Sequence, residues 1–250
     1  MFPFKFETYQ DVKLNLAVVT LFALYVAWSA IFYVVLPPPH RRALTSSLGW
    51  LGHLKIQLGS FTALGIISAF LIYTIQIHDE VYDKHIVKWR ATYDTGFILP
   101  QLCQPFHSRL DPSFDKVARQ NSEVFMRDLY YEYVHDRDPR IKLNTIVRFY
   151  ERITTYWGTQ VVEMIAFVVL LVAVIYVPVY RYMHLPQKNL WLVMIFAGLG
   201  LWVNAAFSKR ALEQVGRATM DEIEEIHSCC MTDLEGRVGK VCAEYGLKFN

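Results

Sequence analysis

Residues that could do chemistry occur in this chain, but not at the spacings chemistry requires. His78, Asp79, Asp83 and His85 carry metal-ligating groups. His78 and His85 stand seven residues apart, not the four of the His-x-x-x-His interval that sets histidine ligands on adjacent helical turns. Standing where an apolar run ends, they read as solvated charges at an interface. His135, Asp136 and Asp138 flank Pro139 and read as turn and capping residues. Cys229 and Cys230 would suit lipidation or redox chemistry, yet Cys230 continues an apolar helical stripe and reads as core. Glycine-rich phosphate loops, nucleophile elbows and kinase motifs are absent from the sequence. The expectation is therefore a non-enzymatic protein with no catalytic residues, no cofactor and no metal site.

The elements that hold these residues are apolar helices. Four runs, Leu14 to Leu36, Leu54 to Ile77, Thr159 to Tyr180 and Asn189 to Phe207, are each long enough to cross a hydrocarbon layer of about 30 Å as a helix. The expected class is all-α, a polytopic membrane protein with four transmembrane helices extended into a helical cytosolic domain. Its expected parts are an N-terminal segment and first hairpin (1–77), a helical loop domain (78–158), a second hairpin (159–207) and an amphipathic C-terminal helix (208–250). Within the loop domain a break is expected at Gly96, Pro100 and Pro105. Asp111-Pro112 then opens a helix running toward Tyr133, and Asn144 caps a helix that enters the third span.

Membrane helices associate through small residues that let backbones approach. Gly59, Thr62, Gly65 and Ala69 form such a face on the second helix, and Ala197 and Gly200 on the fourth. Together with Thr20, Ala23 and Ala27 on the first, these faces predict helix packing and a homo-oligomer, a tetramer by preference. The third helix, rich in Val, Ile and Leu, reads as lipid-facing. No charge falls at the bilayer midplane; Glu163 is the only acid in any span, about one turn from an end. Gln76, Glu163 and Asn204 lie at similar depth and predict an inner polar layer, or a pore mouth. Trp28, Tyr33, Tyr180, Tyr182 and Trp191 fit an interfacial aromatic belt.

Past the fourth span the apolar positions Val215, Thr219, Ile223, Ile226, Cys230, Leu234, Val238, Val241 and Tyr245 alternate steps of three and four, one face of a helix. A break at Gly236 or Gly239 would interrupt it. The opposite face carries Glu213, Asp221, Glu222, Glu224 and Glu225. Something must cover the stripe: the loop-domain helices, a second subunit, or a soluble partner meeting Ile223, Ile226, Leu234, Val238, Val241 and Tyr245. With 25 Lys and Arg against 23 Asp and Glu, the chain lacks the basic excess of a nucleic-acid binder. All four cysteines fall on the side of the large loop at spacings of no zinc or thioredoxin motif, as thiols kept reduced in a cytosol do. Both termini are expected on that side.

At the level of layout, four spans with a domain between the second and third and an amphipathic tail after the fourth, the chain resembles four-span membrane components of bacterial anti-phage systems such as Kiwa. It also resembles the stator subunits of the flagellar motor, without the glycine- and threonine-rich face expected from Val161 to Val179. The first resemblance implies an inner-membrane subunit that senses the envelope, anchors a soluble cytosolic partner or, as a pore-forming oligomer, opens the membrane; the second implies an ion-channel or stator-like subunit.

Overall fold

The structure, a computed structural model, describes residues 6–47, 92–134 and 138–250. Among these residues every extended element is a helix. Among the described residues three helices are long and apolar enough to cross a membrane: Gln10–Val35, Leu143–Tyr182 and Lys188–Glu244. The run expected as a further span, Leu54 to Ile77, lies outside the described residues, as do Gly59, Thr62, Gly65, Ala69 and Gln76. The chain divides into two compact units. An apolar unit comprises Lys13–Ile75 and Thr154–Leu212; a helical unit comprises Met1–Val12, Gln76–Ile153 and Glu213–Asn250.

In the apolar unit, helix α1 (Tyr9–Ala30) passes into a π-helical turn, Ile31–Val35. Leu36 N–H reaches back to Ile31 O at 2.8 Å. Pro37 ends this helix, and Pro38 opens α2 (Pro38–Ser47), where a proline lacks only an N–H that no helical carbonyl would have accepted. The Pro-Pro-Pro run is thus both stop and start. One face of α1 and its π turn, Ala27, Ile31, Phe32 and Leu36, packs against Val161, Ile165 and Val169 of α7, the helix Leu143–Tyr182. The third span, expected to face lipid, buries this face and exposes Phe167, Leu171, Val174 and Ile175 on the other. Tyr180, expected in the aromatic belt, is buried and donates its hydroxyl to Val34 O at 3.2 Å.

Helices α7 and α8 (Lys188–Glu244) end in the same hydrogen-bonded motif, built on different residues. At the end of α8, Leu247 N–H bonds Cys242 O at 2.8 Å around Gly246, which holds φ +65. At the end of α7, Leu185 N–H bonds Tyr180 O at 3.0 Å around His184, at φ +51. This left-handed turn satisfies the last carbonyls and suits glycine. A side chain there costs about 1 kcal/mol, offset at His184 by Leu185 folding onto the cluster of Val35, Ala173, Tyr180 and Leu190.

In the helical unit the expected single helix from Pro112 to Tyr133 is broken into pieces: α4 (Phe114–Gln120), α5 (Ser122–Met126), a π turn Arg127–Tyr131 and α6 (Glu132–Val134). Asn121 makes the break. Its side chain donates to Val117 O at 3.0 Å, a local bond that competes with the helical ladder. Asp111 does not cap a helix starting at Pro112; it accepts from Ser113 N–H at 2.9 Å in a turn, and α4 starts at Phe114. Gly96 does not break the chain either. It lies within a π-helical turn, Asp94–Ile98, that continues into α3 (Leu99–Leu102), with Pro100 in its first turn. Helix α7 starts at Leu143, one residue before the expected cap Asn144. Helix α8 runs unbroken through Gly236 and Gly239.

The core of this unit is the face of α8 carrying Ile223, Ile226 and Leu234, against Leu99, Leu102, Phe125, Met126, Leu129, Tyr130 and Tyr133, all nearly free of solvent contact. The tail returns over it. Phe249 pairs with Leu110 as an antiparallel bridge and stacks under the Arg109 guanidinium at 4.5 Å.

Candidate functional site

The long stripe on α8 is where the structure departs furthest from a docking surface. Ile223, Ile226, Leu234, Val238 and Val241 are at most 2% exposed, and Tyr245 is partly buried against Phe125. Covered from within the chain, they act as core. The expectation that they contact a partner is corrected accordingly, because a partner would have to displace the loop-domain helices first.

Burying that stripe also buries an acid. Glu222 has no solvent contact. The Tyr130 hydroxyl donates to its Oε2, and Oε1 has no hydrogen-bond partner among the described residues. Burial pushes its carboxyl well above the ordinary carboxylate range, and the neighbouring Asp221 and Glu225 push the same way, while the bond from Tyr130 opposes them. Burial also raises the Tyr130 hydroxyl well above its usual value, reinforced by the Glu222 carboxyl. Alongside, the Tyr93 hydroxyl meets Thr219 Oγ1 at 2.9 Å, and Tyr131 donates to Asp94 Oδ2 at 2.9 Å. Burial pushes Tyr93 up to about 12. Three tyrosines, a threonine and two acids thus line the inner side of the π turns. Read as part of the acidic outer face, Glu222 was misplaced by sequence reasoning. A signal was available: Val215, Thr219, Glu222 and Ile226 keep the four-three-four interval of the buried face.

Two further acids of that face, Glu225 and Asp221, are partnered by the start of α7. Glu225 accepts from Lys142 N–H at 2.9 Å and from Thr145 Oγ1 at 2.6 Å, and Arg148 pairs with Asp221 at 2.7 Å. On another side lies an open groove of about 640 Å³, walled by the π turn and α6 and floored by α8. Arg237 is its central cation. It pairs with Glu132 and with Asp233 at 3.2 Å, and its guanidinium lies 5.1 Å from the Tyr133 ring centre. Arg140 bridges Asp138 at 2.6 Å and Asp233 at 3.2 Å. Burial raises the Asp233 carboxyl, but bonds from Tyr133, Arg237 and Arg140 outweigh it and hold Asp233 below its usual range. Lys240 also lines the groove and makes no ion pair with the described residues. At Gly236 an added Cβ would meet nothing within 4 Å, so the floor is open there.

In the apolar unit, Asn204 donates to Thr159 O at 2.9 Å and to Glu163 Oε2 at 3.3 Å, and Gln160 donates to Ser208 Oγ. Glu163 and Asn204 therefore meet, satisfying each other between two helices. Gly200 is exposed and open around its Cβ direction, and Ala197 is partly buried. Among the described residues no three His, Cys, Asp or Glu side chains gather to hold a metal ion. All four cysteines are free, and Cys103, Cys230 and Cys242 are buried. Burial pushes the Cys103 thiol up to about 12.

No curated protein and no solved structure matches the chain. Nothing in these comparisons relates it to the anti-phage or stator groups that its layout resembles. A family model does match, over residues 12–229, nearly the whole sequence: the chain belongs to the YmfE protein family.

Proposed function

We propose that this protein is a non-enzymatic membrane sensor or anchor, set in the bacterial inner membrane with both termini cytosolic, that recruits a soluble partner through its helical unit. Anti-phage defence is the setting its layout suggests. The groove carries the reading: a partner needs a surface that remains available once the core is complete, and the apolar stripe is not one. The groove is wide, charged and open, with Lys240 in no ion pair among the described residues and Gly236 leaving room for a Cβ at its floor.

Gly236→Trp tests this without touching the core. Glycine in a helix interior is poorer than most residues by several tenths of a kcal/mol, and a Cβ at this position, on the open side of the groove, meets nothing within 4 Å. The variant should therefore fold with an unchanged or slightly raised Tm. Affinity purification from native cells should then lose the co-purifying partner that the unaltered chain retains. Equal capture by both proteins would remove the groove from the proposal.

Orientation has its own readout. Cys229 is exposed while the other three cysteines are buried. A membrane-impermeant maleimide should leave Cys229 unlabelled in intact cells and label it after lysis. Labelling before lysis would place the helical unit, and any partner, on the outer side.

A further inference from the structure

Charge is divided unevenly between the two units. The apolar unit holds eight Lys and Arg against a single acid, Glu163, while the helical unit holds the other 22 acids. From residue 12 to residue 78, and again from 164 to 212, the chain contains no Asp or Glu at all. Two connections bring cations to one end of the apolar unit. His40 meets the Tyr176 hydroxyl at 3.3 Å, Tyr180 bonds Val34 O, and Val35 packs with Tyr180 and Leu190. The chain around residues 37–42 therefore adjoins the turn between α7 and α8.

The cations at this end have different tasks. Arg41 is committed to the fold: it donates to Tyr33 O at 3.2 Å and Leu36 O at 3.1 Å and lies over the Phe32 ring. It closes the carbonyls left by the π turn. Arg42, Arg181 and Lys188 are exposed and make no ion pair among the described residues, and no acid is present in either connection to offer one. Beside them Tyr33, Tyr182 and Trp191 are 60%, 87% and 47% exposed. Amphipathic aromatic rings of this kind belong at the level of lipid headgroups, and flanking Arg and Lys side chains reach to the same depth.

We propose that this end of the apolar unit binds the phosphate headgroups of anionic phospholipids through Arg42, Arg181 and Lys188. The inference rests on reading the apolar helices as membrane-spanning. A headgroup phosphate offers what these cations lack, a negative partner held at their own depth. The exposed rings supply the apolar contact with the glycerol and upper acyl region that a free phosphate could not use.

Native mass spectrometry of the full chain in detergent, with added dioleoylphosphatidylglycerol, tests this. The unaltered protein should retain phosphatidylglycerol adducts and few phosphatidylcholine adducts. Since each cation near an anionic surface contributes about fivefold, R42Q/R181Q/K188Q should lower phosphatidylglycerol binding by roughly a hundredfold. K209Q/R210Q, which removes two other exposed cations of the same unit, should lower it far less. Equal adducts on the triple variant, or equal losses in the two variants, would overturn the site. Competition by millimolar inorganic phosphate would make the ligand a free anion and overturn the lipid assignment. Should the glutamine variant fail to accumulate, R42K/R181K keeps the charge and should keep the adducts, and their loss from it would refute binding by charge. Resistance of each protein to alkaline carbonate extraction reports membrane insertion separately. Extraction of the unaltered chain would refute the spanning reading itself.

Discussion

Replacing Glu222 with glutamine should stabilise the helical unit at neutral and alkaline pH and flatten its dependence on pH. In the unfolded chain this carboxyl titrates near the ordinary glutamate value, about 4.3. In the folded unit, with no solvent contact and one oxygen unpartnered, its pKa is raised well above that, first by burial and then by Asp221 and Glu225. Between the two values the folded unit holds a proton that the unfolded chain has lost. The contribution of the neutral acid is therefore fully present below the unfolded value. It declines as pH rises toward the folded one, by up to about 1.4 kcal/mol per pH unit. Glutamine has the same shape, accepts the Tyr130 hydroxyl and does not titrate. Unfolding free energies of the two proteins should agree within about 1 kcal/mol at pH 5. Above that pH they should separate progressively, the variant being the more stable at pH 8. Parallel curves across that range would mean that Glu222 is not held neutral.

The helical character of the chain was legible because apolar residues recur at intervals set by 3.6 residues per turn, and that interval survives every local irregularity. Val215 to Val241 is the plainest case: its positions are core residues, as the spacing required. What periodicity could not reveal was what covers the stripe, since a face made for the chain's own helices and a face made for a partner have the same composition. Breaks were harder. Gly96, Gly236 and Gly239 all sit inside helices, because glycine lowers helix propensity by about 1 kcal/mol and packing of neighbouring turns outweighs that. Asn121, unremarked in the sequence, breaks a helix through a bond from its side chain. The three π turns left no mark in the sequence either, since each inserts one residue into an otherwise helical pattern. The polar pair Glu163 and Asn204 was found from depth alone, because in an apolar span the few polar groups must meet one another or water.

Truncating Leu234 to alanine should open the helical unit, and by an amount that separates a core stripe from a docking stripe. Leu234 has no solvent exposure and lies at the centre of the buried face of α8. Removing a buried leucine side chain costs about 2–5 kcal/mol, the lost transfer energy plus the cavity left behind. Cys103 and Cys242 are buried in the same unit, so the rate at which a thiol reagent reaches them measures how often the unit opens, independently of the membrane helices. Labelling of both thiols in Leu234→Ala should be faster by roughly 30-fold to a few thousand-fold, following the cost of the cavity. Arg148→Gln supplies the contrast. Its ion pair with Asp221 joins side chains 55% and 45% exposed, and a pair so screened by solvent should alter the labelling rate by no more than about fivefold. Were Leu234 instead a contact for a soluble partner, its truncation would leave thiol labelling of the purified chain unchanged and weaken only the complex. A rate within twofold of the unaltered protein would restore the stripe as a partner surface and displace the groove beside Arg237 from that role.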